Sequence, residues 1–228
     1  MTLLPNDNFF KDGYQIALEN AKGLSKIADK SSEENQFGIA LSLKILAAEE
    51  ATKAIAFIMI HSNKNVDLTG FAKIFKDHKT KHEFLSEGSI FIEAFVDMGS
   101  TKYGALDYVF SVLEKLPGPH KAEIKKLETD FSNSLGWIRK VKNIEQRESV
   151  LKEWWAKANL EKNGGLYVDI IDGNWYNPKA ISKEKYLEAC NHTELQIENA
   201  EKLPAIFENL ATKKNNKAAN TALPYIGA

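Results

Sequence analysis

Apolar residues recur at helical spacing along most of the chain. From about Asn8 to Lys30, Phe9, Ile16, Leu24 and Ile27 are set among alanines and charges, with Asn6 to Asn8 placed to cap. Ser31 and Ser32, followed by Glu34 and Asn35, read as the start of a second helix, with acidic residues at its positive dipole end. That helix, about Ser32 to His61, is rich in alanine and leucine and stops at Ser62-Asn63-Lys64-Asn65. A third begins after Asp67 and Thr69 and runs through Phe71, Ile74, Phe75 and Leu85. Further helical pattern covers Tyr103 to Leu116, ends at Pro117-Gly118-Pro119, and resumes from His120 to about Asn159.

The period then changes. Asn163-Gly164-Gly165 leads into Leu166-Tyr167-Val168-Asp169-Ile170-Ile171-Asp172-Gly173-Asn174-Trp175, a β-branched and aromatic stretch closed by Asp-Gly. It predicts an extended segment or small hairpin. Pro178 and Ser182 open a last helix, to about Thr212. The predicted architecture is mainly α: one helical domain over 1–212 with a short extended or hairpin insertion before the last helix, then a loose polar tail over 213–228.

Composition narrows the function. In 228 residues there are 30 Lys+Arg against 31 Asp+Glu, which excludes a generally basic nucleic-acid binder but not a local basic cleft. Only Arg139 and Arg147 are arginine, so anion chemistry must rely on lysines, histidines and backbone amides. The single cysteine, Cys190, excludes an intrachain disulfide framework and four-cysteine zinc sites. No apolar run reaches ~18 residues, and Met1-Thr2-Leu3-Leu4-Pro5 lacks a basic region before an apolar one, so a cytoplasmic protein with no membrane partner is expected.

Polar residues interrupt two apolar faces. In the second helix Glu50 falls on the stripe of Leu43, Ala47, Ala54, Phe57 and Ile58, where a carboxylate is costly unless partnered. Glu49 and Lys53 flank it and read as an ion pair on the solvated side. In the third helix His78 and His82 share the face of Phe71, Phe75 and Leu85, with Lys81 beside them. This set suits metal-independent RNA cleavage: His78 or His82 as base or acid, Lys53 or Lys81 stabilising phosphate charge, and Glu50 orienting an imidazole. Anion or nucleotide binding without turnover would use the same cations. A zinc site of His78, His82 and Glu50 is the third reading, although Lys79 stands where a zincin needs glutamate. The expectation is no metal and no cofactor. Tyr167 and Asp169 either cover the bundle or line the same cleft, and Trp137, Trp154, Trp155 and Trp175 read as core or interface.

Three strings taken together carry a resemblance: Ser42-Leu43-Lys44-Ile45-Leu46-Ala47-Ala48-Glu49-Glu50-Ala51-Thr52-Lys53-Ala54, Asp77-His78-Lys79-Thr80-Lys81-His82, and Gly165-Leu166-Tyr167-Val168-Asp169 with Trp175 and Pro178. In order and spacing the chain resembles the AbiV family of bacterial abortive-infection proteins, a branch of the HEPN superfamily of helical nucleotide-binding and RNA-cleaving domains, over about Gln15 to Ala200. The resemblance implies a HEPN-like bundle and a cytoplasmic phage-defence role, through halted translation or cut RNA. It also implies a homodimer with its cleft near the interface, RNA or a nucleotide as ligand, and a phage-encoded trigger protein. The family motifs fall on Glu49, Glu50 and Lys53, on His78, Lys81 and His82, and on Leu166, Tyr167, Val168 and Asp169. One feature departs: the general HEPN ribonuclease signature places His four to six residues after Arg, and neither Arg139 nor Arg147 has one. Either the AbiV constellation substitutes for that signature, or the domain binds RNA or a partner without cutting.

Overall fold

A computed structural model describes residues 8–62, 75, 81, 82, 85, 92, 96, 144–171 and 174–221; of 144–148, 169–171, 174–176, 210, 211 and 213–221 it describes the backbone alone. Its elements are α1 (Phe9–Glu33), α2 (Phe37–Ser62), α3 (Ile144–Leu166), β1 (Asp169–Ile171), β2 (Asn174–Tyr176), a 3-10 turn (Pro178–Ala180) and α4 (Lys183–Thr221). Phe75, Lys81, His82, Leu85, Ile92 and Val96 are each helical, in keeping with the expected third helix where its positions are described. The helical stretches expected over 103–116 and 120–143, with His78, Trp137 and Arg139, lie outside the described residues. The chain is mainly α, and of the two forms expected for the insertion it takes the hairpin: β1 and β2 pair antiparallel, Asp169 opposite Tyr176 and Ile171 opposite Asn174.

Ser31 and Ser32 end α1; they do not start α2. Their hydroxyls donate back to the carbonyls of Ile27 and Asp29, and the Asn35 and Gln36 amides donate to Ser32 and Ser31. Asn35, at φ 57°, takes the left-handed position of this C-cap, which asparagine tolerates better than most residues. The reversal lays α1 antiparallel on α2, with the Phe10 and Phe57 rings 6.4 Å apart near one end and Ser25 on Lys44 towards the other.

Sixteen of the 26 residues of α2 are buried, because α1, α3 and α4 all pack on it. One core cluster joins Leu41, Ile45 and Ala48 to Leu85, Leu151, Trp155, Ala158 and Ala189. The other joins Ala54, Ile55 and Ile58 to Ala17, Leu18, Ile92, Val96, Leu203 and Ile206. Along α2, Glu49 falls between them.

Two backbone details fix the packing. Gly38 of α2 and Gly165 of α3 meet so closely that a Cβ on Gly165 would run into the Gly38 carbonyl and the Ser42 hydroxyl. The helix therefore continues through Gly164 and Gly165 to Leu166, where the sequence pattern suggested a stop. On α4, Pro204 has no N–H to give the Ala200 carbonyl, and the Tyr14 hydroxyl of α1 donates to that oxygen instead, at 3.2 Å. The helix continues past Pro204 to Thr221, nine residues beyond the expected Thr212.

Candidate functional site

The interior carboxylate is Glu49, not Glu50. Glu49 is 1% exposed. Its Oε1 lies 3.0 Å from His82 Nε2 and 2.8 Å from Lys162 Nζ, and its Oε2 lies 3.4 Å from Lys81 Nζ. His82, Lys162 and Lys81 are 7%, 5% and 3% exposed. Three donors thus converge on one carboxylate, the arrangement that makes a buried charge tolerable.

Glu50 instead pairs with Lys53 one turn along α2, both partly exposed. The pair expected between Glu49 and Lys53 is therefore made by Glu50 and Lys53. The physical reason lies in α2 itself: apolar residues occupy nearly every side of it, so no single stripe identifies the core. The row Leu43, Leu46, Glu50, Lys53 and Phe57 is in fact its more open side. The row Gly38, Ser42, Ile45, Glu49, Thr52 and Ala56 is fully buried. The small and hydroxyl-bearing residues of that row let the neighbouring helices approach closely around Glu49.

Lys162 had no signal in the sequence. It reaches Glu49 because the glycine contact draws α3 against α2 and because side chains on a helix lean towards its N-terminus. The Ser42 hydroxyl holds the same region, lying 2.7 Å from the Lys162 carbonyl and 3.0 Å from that of Gly38. His82 also faces the indole of Trp155, with centroids 5.6 Å apart. Trp155 is fully buried, as a core tryptophan should be, and its Nε1 has no hydrogen-bond partner among the described residues.

Tyr167 and Val168 are 62% and 67% exposed, so most of each side chain faces away from the core. Asp169 opens β1. Among the described residues no group of three His, Cys, Asp or Glu is arranged to hold a metal ion. The ammonium groups around Glu49 would compete with a cation for its oxygens.

A second ion pair, buried only on its lysine side, lies on the other side of α2. Lys44, 1% exposed, donates to Asp29 at 2.7 Å and to Ser25 at 2.8 Å. The Tyr186 hydroxyl donates to the same Asp29 oxygen at 2.7 Å. Burial pushes the Asp29 carboxyl up, but hydrogen bonds from Lys44 and Tyr186 and the Lys44 charge outweigh it, holding Asp29 below its ordinary value. Burial raises the phenol of Tyr186 and the thiol of Cys190. His192, against Trp154 with centroids 4.5 Å apart, is lowered to about 4 by burial.

An open groove of about 340 Å³ runs between α3 and the start of α4, over Leu41 and Trp154. It includes none of the Glu49 cluster, and its rim is already paired, Lys185 to Glu161 and Lys157 to Glu153.

Among the described residues no helix is long and apolar enough to cross a membrane. No curated protein and no solved structure matches the chain. The family model HEPN_AbiV, described as AbiV, matches residues 9–198, a span that holds Glu49, Lys81, His82 and Lys162. The chain belongs to the AbiV family of HEPN domains.

Proposed function

We propose that the protein is an abortive-infection effector that acts on RNA by metal-independent acid–base chemistry, with Glu49 and not Glu50 orienting the imidazole. The observation that carries this reading is the 3.0 Å contact between Glu49 Oε1 and His82 Nε2. A carboxylate accepting from Nε2 fixes the imidazole tautomer and leaves Nδ1 to exchange a proton. In the proposed step Nδ1 takes the proton of a ribose 2′-hydroxyl, whose oxygen attacks phosphorus. The 5′-oxygen leaves with a proton from a second acid, giving a 2′,3′-cyclic phosphate and a 5′-hydroxyl. Lys81 stabilises the added phosphorane charge. His82, the most exposed of the four groups, is the edge by which RNA reaches the cluster. A phage-encoded trigger protein is the proposed activator.

The test is purified protein with cellular RNA in EDTA, comparing wild type with His82→Asn, whose amide can still donate to Glu49. Cyclic-phosphate ends with wild type and not with a folded His82→Asn are the expected result. Cleavage unchanged by the substitution overturns the assignment.

A second reading has one observation in its favour: all four groups are 7% exposed or less, as in a structural network. The domain would then be a binding module acting through a protein partner. It predicts intact RNA with both proteins and phage protection that tracks stability.

A further inference from the structure

The groove between α3 and the start of α4 combines an indole with an excess of carboxylates. At about 340 Å³ it lies at the small end of the range in which proteins hold ligands, and it is open to solvent. Val150, 52% exposed, gives it an apolar wall. Trp154 is held by Trp155 and His192, with ring centroids 4.5 Å from each, and part of what they leave uncovered lines the groove. An indole already held in place offers a π surface without losing rotamer freedom on binding.

The polar lining is short of donors. Three carboxylates, Glu153, Glu161 and Glu188, face two ammonium groups, and both of those are engaged. Lys157 pairs with Glu153 at 2.7 Å and Lys185 with Glu161 Oε1 at 2.6 Å. The second oxygen of Glu161, Oε2, is buried and has no hydrogen-bond partner among the described residues. An unpaired buried acceptor is costly, and a ligand that brings N–H groups removes that cost. Lys157 registers the surplus negative charge and is held above its ordinary value. The hydrogen bond and charge of Glu153 raise it, burial works against them, and the charges of Glu161 and Glu188 add to the rise. A guanidinium suits this lining better than an ammonium does. It is cationic, flat enough to lie on an indole, and carries five donors in a fixed fork.

We infer that the groove between α3 and α4 is a docking site for an arginine side chain of a protein partner, laid on Trp154 and hydrogen-bonded to Glu161 and Glu188. Because the groove is open beside Val150, the arginine can arrive on a peptide whose apolar neighbour rests against that residue. The inference is independent of whether the Glu49 cluster turns over RNA, since no member of that cluster lines the groove.

Titrating the isotope-labelled full chain with the acetylated, amidated peptide Gly-Leu-Arg-Leu-Gly tests it, with the indole N–H signals followed by NMR. Trp154→Phe identifies the Trp154 signal. That signal should shift saturably, with a Kd of about 1 mM or tighter. The same peptide with citrulline for arginine keeps the shape without the charge and should bind roughly tenfold more weakly or not at all. The lysine peptide should also bind more weakly. Glu161→Gln and Glu188→Gln should each weaken the arginine peptide by about fivefold or more. Glu198→Gln, on α4 but outside the groove, should leave it unchanged. Circular dichroism checks that each variant is folded, and Glu188, being exposed, supplies the comparison if Glu161→Gln is not. Absence of saturation, equal binding of the citrulline or lysine peptide, or indifference of a folded Glu188→Gln overturns the inference.

Discussion

Glu49 Oε1 stands 3.0 Å from His82 Nε2, and the two residues come from different helices, 33 positions apart. The same oxygen accepts from Lys162, another 80 residues along the chain from His82. One carboxylate on the central helix thus ties together three parts of the chain, between two apolar clusters. Its charge is the counterweight for two buried lysines.

Removing that charge should be the costliest single change in the cluster. Glu49→Gln leaves Lys81 and Lys162 buried without their shared carboxylate, and a loss of about 3–5 kcal/mol is expected. Glu50→Gln, in a partly exposed pair, should cost less than about 1 kcal/mol. Urea unfolding of both variants checks the order, and equal costs would contradict the placement of Glu49.

The Lys44–Asp29 pair predicts an asymmetry. Lys44 is 1% exposed and Asp29 53%. Asp29→Ala strands a buried ammonium and should cost about 3–5 kcal/mol. Lys44→Met leaves a carboxylate that water can still reach and fills the same volume, so it should be close to neutral or stabilising. Unfolding midpoints of the two variants give the comparison directly.

The contact of Gly38 with Gly165 leaves no room for a methyl group. Gly165→Ala should force α3 away from α2 and cost about 1–3 kcal/mol or more, as overpacking does. The displacement should also draw Lys162 from Glu49, so a double-mutant cycle of Gly165→Ala with Lys162→Met should be non-additive. Additive losses would mean that the glycine contact does not set the ion pair.

His192 predicts a pH dependence. Its folded value of about 4 lies below the usual 6.5, so the unfolded chain takes up the proton first as pH falls. The stability this residue contributes is full above pH 6.5 and is lost progressively down to about pH 4, on the order of 3 kcal/mol. His192→Phe keeps a ring against Trp154 and should flatten that part of the profile. Unfolding measured at steps between pH 4 and pH 7 for both proteins checks it.

The mainly helical class, the hairpin of Asp169 to Tyr176 and the family were all legible in the sequence. Each depends on local period or on short strings that do not require knowing what faces what. The sequence also marked Lys81 and His82, because charged and polar groups on the face of Phe75 and Leu85 break a clear helical stripe. It pointed to Glu50 as the inward carboxylate, and the structure buries Glu49 instead. These neighbours sit 100° apart on a helix that is apolar on almost every side, and only the partners packed around it decide which of them is inside. Nor could it find Lys162 or the pairing of Asp29 with Lys44, since long-range ion pairs have no period. The larger apolar residues of α1, Phe9, Ile16 and Ile27, were legible, but that they face outward was not. Alanines, not isoleucines, fit the narrow space against α2, and that width is a property of two helices together.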